Sequence, residues 1–485
     1  MLAILNTLFY ALFILSMGYY FMTNLQWYSY KLTRVLFHHT KIWWHFVYFL
    51  IPFALYSFVD ALSPYAFVIA ILYLGLILHW HRGLDKPLVF TGRVKRFVFA
   101  LILFALFIAI SFHYYAVILP IFLAYFISIF IEKMLFHGFQ TQAQKKLDAM
   151  SDMKVIGITA SYGKTSIKNY VTHLLQAKYN TYATPRSVNT LGGVMIDINN
   201  DLPSDTEVYV VEMGARGEGD IAQISTFVNP HYAIVGKIGP AHIEYFRTIE
   251  NIRNTKMEIL KSDRLDTAWI HQSANVKTEA NVHTFGDLEG LDMRSNTPAP
   301  TFVIEDVKAT LDSTSFRLKG VSYSAKILGA FNAMNLAVSV LVAKELGLTD
   351  TQIQSQLSTL APVAHRLQRI DAGGKVILDD SFNGNIDGMM SAFDLASTHQ
   401  GRKVVITPGL VEVDESYNIQ VAQRVNEVFD IVIVSGELNY ATFKKYIDAD
   451  KLIKLPSKDK MQEILIEHTQ AGDLILFAND APSFI

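Results

Sequence analysis

The chain of 485 residues is 51% hydrophobic and 18% charged, with 42 Lys and Arg against 44 Asp and Glu and no cysteine. That composition excludes a disordered chain, a disulfide framework, a zinc–thiolate or iron–sulfur site and a cysteine nucleophile, and gives no global sign of nucleic-acid binding. The average hides an asymmetry, because residues 1–152 hold 11 Lys and Arg but 5 Asp and Glu, whereas the remainder hold 31 and 39.

Residues 1–30 carry no charge, and 2–22 are almost wholly apolar. A cleaved signal would show a basic start and a small-residue cleavage site, and neither is seen here. Further charge-free runs cover 43–59, 61–78 and 97–131. A bilayer core takes about 20 apolar residues per helix, so the first three runs read as one span each. Ser63 and Pro64 supply a cap and first-turn proline for the third span. The run 97–131 is too long for one span and fits two short ones turning near 111–115. Lys31, Arg34 and Lys41 follow the first span, and Arg82, Lys86, Arg93, Lys95 and Arg96 follow the third. Loops rich in Lys and Arg stay cytoplasmic. The expectation is five membrane spans, N-terminus out, with Lys133, Lys145, Lys146 and all that follows in the cytoplasm.

A polar helical linker is expected over 133–152. Beyond it, short β-rich runs alternate with amphipathic helices. Residues 154–158, 207–212, 232–235 and 266–270 read as buried parallel strands, 282–328 as an antiparallel insertion, and 335–346 as a helix. Strands at 375–378, 403–407, 431–434 and 473–477 form a further unit from residue 362 onward. The fold class is therefore an α-helical membrane domain (1–132) followed by α/β, with a P-loop parallel-sheet ATPase domain (153–361) and a C-terminal Rossmann-like domain (362–485).

The sharpest local signal is a strand running through Thr159, Ala160, Ser161, Tyr162 and Gly163 into Lys164, Thr165 and Ser166 at the start of a helix. Backbone N–H groups of such a loop surround phosphate oxygens, the lysine neutralises charge and the hydroxyl ligates magnesium. The spacing departs from the common Gly-x-x-x-x-Gly-Lys-Ser/Thr form, since Ile158 occupies the first glycine position. Glu212 ends a strand beside this loop and reads either as a magnesium carboxylate or as an edge salt bridge. His242 reads as a structural loop histidine or a ligand, and Lys256 as an ordinary helix-surface lysine.

Taken together, the loop 159–166 and the stretches Ser187–Gly193, Glu212–Ala215, Ile238–Phe246, Asn251–Lys256, Phe331–Ala337, His365–Leu367 and Asp379–Met389 resemble the Mur ligases, the ATP-dependent amide-bond formers of peptidoglycan precursor synthesis. The resemblance spans residues 153–485 and is strongest to the F type, the UDP-N-acetylmuramoyl-tripeptide–D-alanyl-D-alanine ligases. It implies that Thr159–Ser166 hold ATP, that Thr165 and Glu212 bind one Mg2+, and that His242 helps bind a second. Lys256 matches a lysine often carbamylated to a carboxylate-like metal ligand, and with Lys164 and His242 makes up the implied catalytic set. Asn332 and Asn335 match a pair beside the adenine, and Arg366 and Asp380 reach the nucleotide from the C-terminal domain. Asn189, Thr190, Asn383 and Asn385 are the implied substrate contacts. The implied partners are UDP-MurNAc-tripeptide, D-Ala-D-Ala, the lipid bilayer and other membrane-bound cell-wall enzymes.

Three features depart from the family. Ala160 stands where the loop usually has glycine, which is strained if that position needs positive φ. Thr407–Val413 replaces a Gly-Asp/Asn-Met-x-Glu-Leu turn. The small N-terminal domain that usually grips UDP is replaced by the apolar block. The alternatives are a related ligase with another amine or a lipid-linked acceptor, and an ATP-driven transporter or scaffold. Against transport, no intramembrane acid–base pair or broken helix pair stands out.

Overall fold

The computed structural model describes residues 2–28, 30–37, 39, 41–62, 65–84, 86–111, 117–241, 243–288, 299–382, 384–411 and 413–479. The chain divides into two compact units, Met1–Thr141 and Gln142–Ile485.

The first unit is helical. Its long elements are Leu2–Trp27, a segment from Trp43 through a π-helical stretch Phe46–Leu50 to Ile51–Leu62, then Ala66–Arg82, Gly92–Ser111 and Leu119–Ala149. Asn6–Trp27 and Leu119–Ala149 are long and apolar enough to cross a bilayer, and Ala66–Arg82 is apolar but shorter. Ser63, Pro64 and the turn expected near 111–115, apart from Ser111, lie outside the described residues. The expected linker is no separate element, because Leu119–Ala149 runs unbroken through most of it. The first helix packs against Ala66–Arg82 and Gly92–Ser111, burying Tyr10, Phe13, Ile14 and Met17. Gly18 allows that approach, since a Cβ there would lie 2.2 Å from Leu101 Cδ2. Polar groups turn inward: Asn24 Oδ1 meets His39 Nε2 at 2.7 Å, and the Tyr20 hydroxyl meets His45 Nδ1 at 2.8 Å. Large apolar side chains turn outward, among them Phe99, Phe107, Ile110, Phe126 and Phe130.

The second unit contains two sheets. The first comprises β1 (Lys154–Thr159), β2 (Thr181–Ala183), β3 (Val208–Glu212), β4 (Tyr232–Val235), β5 (Thr267–His271), β6 (Val282–Gly286), β7 (Phe302–Ala309), β8 (Thr314–Leu318) and β9 (Val321–Ala325). Their order is β2-β3-β1-β4-β5-β6-β7-β8-β9. Side chains alternate between two cores. Ile156, Ile158, Val208 and Val210 face the helices Lys164–Leu175 and Phe331–Glu345, while Val155, Tyr209 and Val211 face Leu191–Asn200, Asp220–Val228 and Ile249–Met257.

The expected antiparallel insertion over 282–328 needs correction. Strands β6 and β7 continue the parallel sheet, and only β7–β8 and β8–β9 pair antiparallel. The physical reason is burial. Most of β6 is covered on both faces, as an interior strand is, whereas β8 buries Thr314, Phe316 and Leu318 and turns Ser315 and Arg317 outward.

The second sheet comprises β10 (Gln368–Ala372), β11 (Lys375–Asp380), β12 (Lys403–Thr407), β13 (Ile431–Ser435), β14 (Leu452–Leu455) and β15 (Leu474–Ala478), in the order β10-β11-β15-β12-β13-β14. All neighbours are parallel except β10–β11, a hairpin whose two turn residues, Gly373 and Gly374, both have positive φ. The helices Ile386–Ser397 and Glu415–Val428 cover one face and Met461–His468 the other. The short strands β2, β10 and β14 are absent from the sequence reading.

Candidate active site

Parallel strands release their loops at one sheet edge, which is where α/β proteins place ligands. Here the loops after β1, β4 and β5, the end of β3 and the loops after β11 and β12 line one cleft of about 1370 Å³. β1 lies at the centre of its sheet, between β3 and β4. The loop that follows is pinned to the β4 side: Ser161 N donates to Lys237 O (2.9 Å), Ser161 Oγ to Gly239 O (3.0 Å) and Gly236 N to Thr159 O (2.8 Å). Gly163 has φ +82°, and a Cβ there would sit 2.7 Å from Asn335 Oδ1, so both backbone and space demand glycine.

Ala160 is buried and is not among the residues with positive φ, so the strain foreseen for a left-handed backbone does not arise. Room for its methyl comes from Gly236, where a Cβ would lie 2.9 Å from the Ala160 Cβ.

Lys164 opens the following helix and folds back over its own loop, with Nζ donating to Ala160 O (2.8 Å) and Ser161 O (3.3 Å). Burial pulls its ammonium below the usual range, Glu212 opposes this, and Arg366 adds to it. Thr165 Oγ1 donates to Glu212 Oε2 at 3.0 Å, and Asn189 Nδ2 to Glu212 Oε1 at 3.0 Å. Glu212 is therefore held from both sides, and its backbone N–H donates to Thr184 Oγ1. Ser166 is buried at the foot of the loop, and Tyr162 lines the cleft.

Asn335 lines the cleft and donates from Nδ2 to Asn332 Oδ1 (3.0 Å), while Asn332 is buried and donates to Leu328 O (2.7 Å). Asn332 thus orients Asn335. Arg366 and Asp380 both line the cleft, and Arg366 Nη1 donates to Phe382 O at 2.6 Å. Burial lowers the Arg366 guanidinium, opposed by Asp380 and then Glu212. Asn385 spends its Oδ1 capping its own helix through Gly388 N (2.8 Å), and Thr190 caps Leu191–Asn200 through Gly193 N (3.3 Å). His242 and Asn383 lie outside the described residues.

Lys256 is not the solvated surface lysine its helix suggests. It is buried, and burial followed by the Lys164 charge brings its ammonium from 10.5 down to about 7, against Asp220 and Glu258. A neutral amine at neutral pH is the form that reacts with CO2. The oxygen pair of Thr165 and Glu212 suits Mg2+ shared with phosphate oxygens and water. Among the described residues no cluster of three or more His, Asp or Glu forms an all-protein cage.

Two features escaped the sequence reading. Lys237 Nζ and Asp387 Oδ2 pair at 2.8 Å across the cleft, joining the β4 loop to the helix after β11. Nothing in the chain links positions so far apart. Lys168 lies one helical turn after Lys164, and its place among Ile167 and Val171 on a buried face was a usable signal.

Residues 158–343 match the Mur ligase middle domain. That match lies wholly within the second unit, over the first of its two sheets and the helices that flank it. Among curated Mur ligases, the UDP-N-acetylmuramoyl-tripeptide–D-alanyl-D-alanine ligase of Bacillus subtilis is 24% identical over 336 residues, covering 67% of this chain and 72% of that one. The enzyme of the same name from Synechocystis is 28% identical over 280 residues, covering 56% and 58%. The chain thus spans between somewhat over half and about three quarters of these Mur ligases' own lengths. In three dimensions the MurF ligase of Thermotoga maritima, solved in complex with ADP, superposes with a TM-score of 0.60 at 26% identity, over 70% of this chain and 80% of that one.

Proposed function

We propose that this chain is a membrane-anchored, ATP-dependent amide ligase that adds D-Ala-D-Ala to UDP-MurNAc-tripeptide through an acyl phosphate. The observation that carries the reading is the convergence of the phosphate loop and the Thr165–Glu212 oxygen pair at one cleft that a second α/β sheet closes, with the buried Lys256 close enough to feel the Lys164 charge. Similarity to several D-alanyl-D-alanine ligases supports the choice of amine.

A carboxylate is a poor acyl donor, so its oxygen first attacks the terminal phosphorus of ATP and ADP leaves. The loop N–H groups and Lys164 hold the phosphates, and Arg366 approaches from the opposite wall. Mg2+ held by Thr165 and Glu212, with Lys256 in its carbamylated form and His242 as further ligands, would neutralise charge on the phosphates. The dipeptide amine then attacks the acyl carbon and phosphate departs. Asn385, Asp387, Ser391, Leu410, Val413 and Tyr417 line the wall from which the amine would come. Closure of the two walls orients the reactants and excludes water that would hydrolyse the activated acid.

We further propose five passes in a bacterial inner membrane, with both basic loops and the ligase in the cytoplasm; the outward apolar faces and inward polar groups of the first unit support a lipid setting, and Asn6–Trp27 and Leu119–Ala149 are long and apolar enough to cross it. Such an anchor places the product beside membrane enzymes that consume it. One feature favours a different amine, namely the Pro408–Leu410 turn at the cleft wall in place of the family's usual sequence.

The test uses the full chain in detergent with UDP-MurNAc-tripeptide, D-Ala-D-Ala and ATP, read by mass spectrometry. The expected product is the pentapeptide precursor, with 18O from the tripeptide carboxylate appearing in inorganic phosphate. Phosphate free of label overturns the mechanism, and product only with another amine overturns the substrate.

A further inference from the structure

We infer that Lys168 is a positioning residue that ties the metal-binding carboxylate Glu212 to the loop carrying the acceptor-side residues, so that one buried cation sets both. The inference rests on the ligase reading above.

Lys168 is 1% exposed, on the inner face of the Lys164–Leu175 helix. An ammonium has three N–H donors and no acceptor. Here its three neighbours are Thr184 O at 2.7 Å, Arg186 O in a short contact, and Glu212 Oε2 at 3.5 Å. Two of these belong to the segment after β2, which continues into Ser187, Asn189 and Thr190. The third is the carboxylate that Thr165 and Asn189 also hold. Gly214 N closes the circuit by donating to Asn189 O at 2.7 Å. The phosphate-loop helix, the end of β3 and the 184–190 segment thus meet on one side chain.

A lysine placed this deep costs free energy unless all its donors are used, and a core position on this helix would accept Leu or Met with less penalty. Its retention is explained by what it aligns. Glu212 can present an oxygen toward the phosphate loop only while the other contacts hold its plane. The same ammonium fixes the two carbonyls that set the course of the chain toward Asn189. Partners one layer behind a metal ligand change metal affinity or activity by about 10–100-fold when removed.

The experiment compares the full-length protein with Lys168→Met, Lys168→Gln and Lys168→Arg, using Mg2+ and ADP as probes alongside steady-state assays and thermal unfolding. Lys168→Met is expected to raise the half-saturating Mg2+ about tenfold and to raise the acceptor KM. Binding of ADP without Mg2+ should change less than twofold. Lys168→Gln, which keeps donors for the carbonyls, should recover the acceptor KM while Mg2+ dependence stays weak. Lys168→Arg should recover both in part. A purely structural role would lower the melting temperature and the active fraction while leaving half-saturating Mg2+ and acceptor KM of the folded fraction unchanged, and that result overturns the inference. If Lys168→Met does not fold, the Gln and Arg variants decide by the same two readouts. Failure of the wild type to bind Mg·ADP at all would instead overturn the ligase reading, so the two failures are distinguishable.

Discussion

The two units bury polar groups for opposite reasons. In residues 1–141 the interior holds Asn24, His39, Tyr20 and His45 in mutual hydrogen bonds, while Phe107, Phe126 and Phe130 face outward. In residues 142–485 the buried Glu212 and Asp380 line the cleft where loops leave two sheets, buried Lys168 meets Glu212, and buried Lys256 feels the Lys164 charge. In lipid, the setting proposed for the first unit, a polar group must find its partner inside, so burial there would report on the solvent. In water, burying a charge is costly, so a cluster of buried charges reports on chemistry.

The strongest way to break this contrast is to remove one buried polar group from each unit. Lys164→Ala and Glu212→Ala should each lower ATP-dependent phosphate release by about 10²–10³-fold or more, the loss typical when a preorganised electrostatic contact disappears. Asn24→Leu should leave turnover within about twofold while lowering thermal stability, because it leaves His39 without its Nε2 partner. Phosphate-release kinetics beside a melting curve separate the two outcomes. A loss of turnover in Asn24→Leu equal to that in Lys164→Ala and Glu212→Ala would erase the distinction.

An apolar-to-charged exchange on the outside sharpens the same contrast. Phe126 and Leu438 are both exposed, at 61% and 74%. Phe126→Arg should cost about 2.5–3.5 kcal/mol of membrane insertion and reduce the membrane-integrated fraction, whereas Leu438→Arg should be neutral or improve solubility. Carbonate extraction of membranes, followed by blotting, measures both. If Phe126→Arg inserts as well as the parent, that face does not meet lipid.

How far the sequence foretold this arrangement depends on whether a signal was local. The phosphate loop, Glu212 at a strand end and the parallel strands of both sheets were legible, because each is written in a few neighbouring residues. Strand β6 was misassigned because Val282–Gly286 looks the same whether its partner is parallel or antiparallel, and only burial on both faces decides. Strands β2, β10 and β14 lie at sheet edges and are only partly buried, so they lack the continuous burial that marked the interior strands. Lys256 read as a surface residue because its helix is polar, and its burial is created by elements distant in sequence. Lys237 and Asp387 lie in separate sheet systems and could meet only in the folded chain.

Lys256 also gives the contrast a pH dependence. Its folded value of about 7 lies below the ordinary 10.5. Carbamylation needs the neutral amine, so CO2-stimulated activity should fall as pH drops through about 7, and Lys256→Ala should be partly rescued by small carboxylates. For stability the sign is opposite to that of a salt-bridged lysine. Between about 7 and 10.5 the unfolded chain binds the extra proton, so stability should rise with pH across that window. Below it both states are protonated, and the burial penalty is fully present. Lys256→Met should therefore raise the melting temperature most at pH 6 and least near pH 10. A melting-temperature gain independent of pH would show that burial does not depress this lysine.

The smallest effect tests the phosphate loop's own adaptation. A methyl on Gly236 would lie 2.9 Å from the Ala160 Cβ and 2.9 Å from Ile167 Cδ1, closer than carbon atoms pack. Ile167 can give way by rotating its terminal methyl, whereas Ala160 is fixed by the loop backbone. Gly236→Ala should therefore destabilise by about 1–3 kcal/mol, the usual cost of overpacking. Because Ala160 supplies the rigid half of the clash, Ala160→Gly should recover much of that loss in the double variant while costing stability alone through added backbone freedom. A double-mutant cycle by chemical denaturation should show favourable coupling of about 0.5 kcal/mol or more between the two positions. Strict additivity would mean that Ala160 owes its fit to the loop's dihedral angles alone, and that Gly236 is there for some other reason.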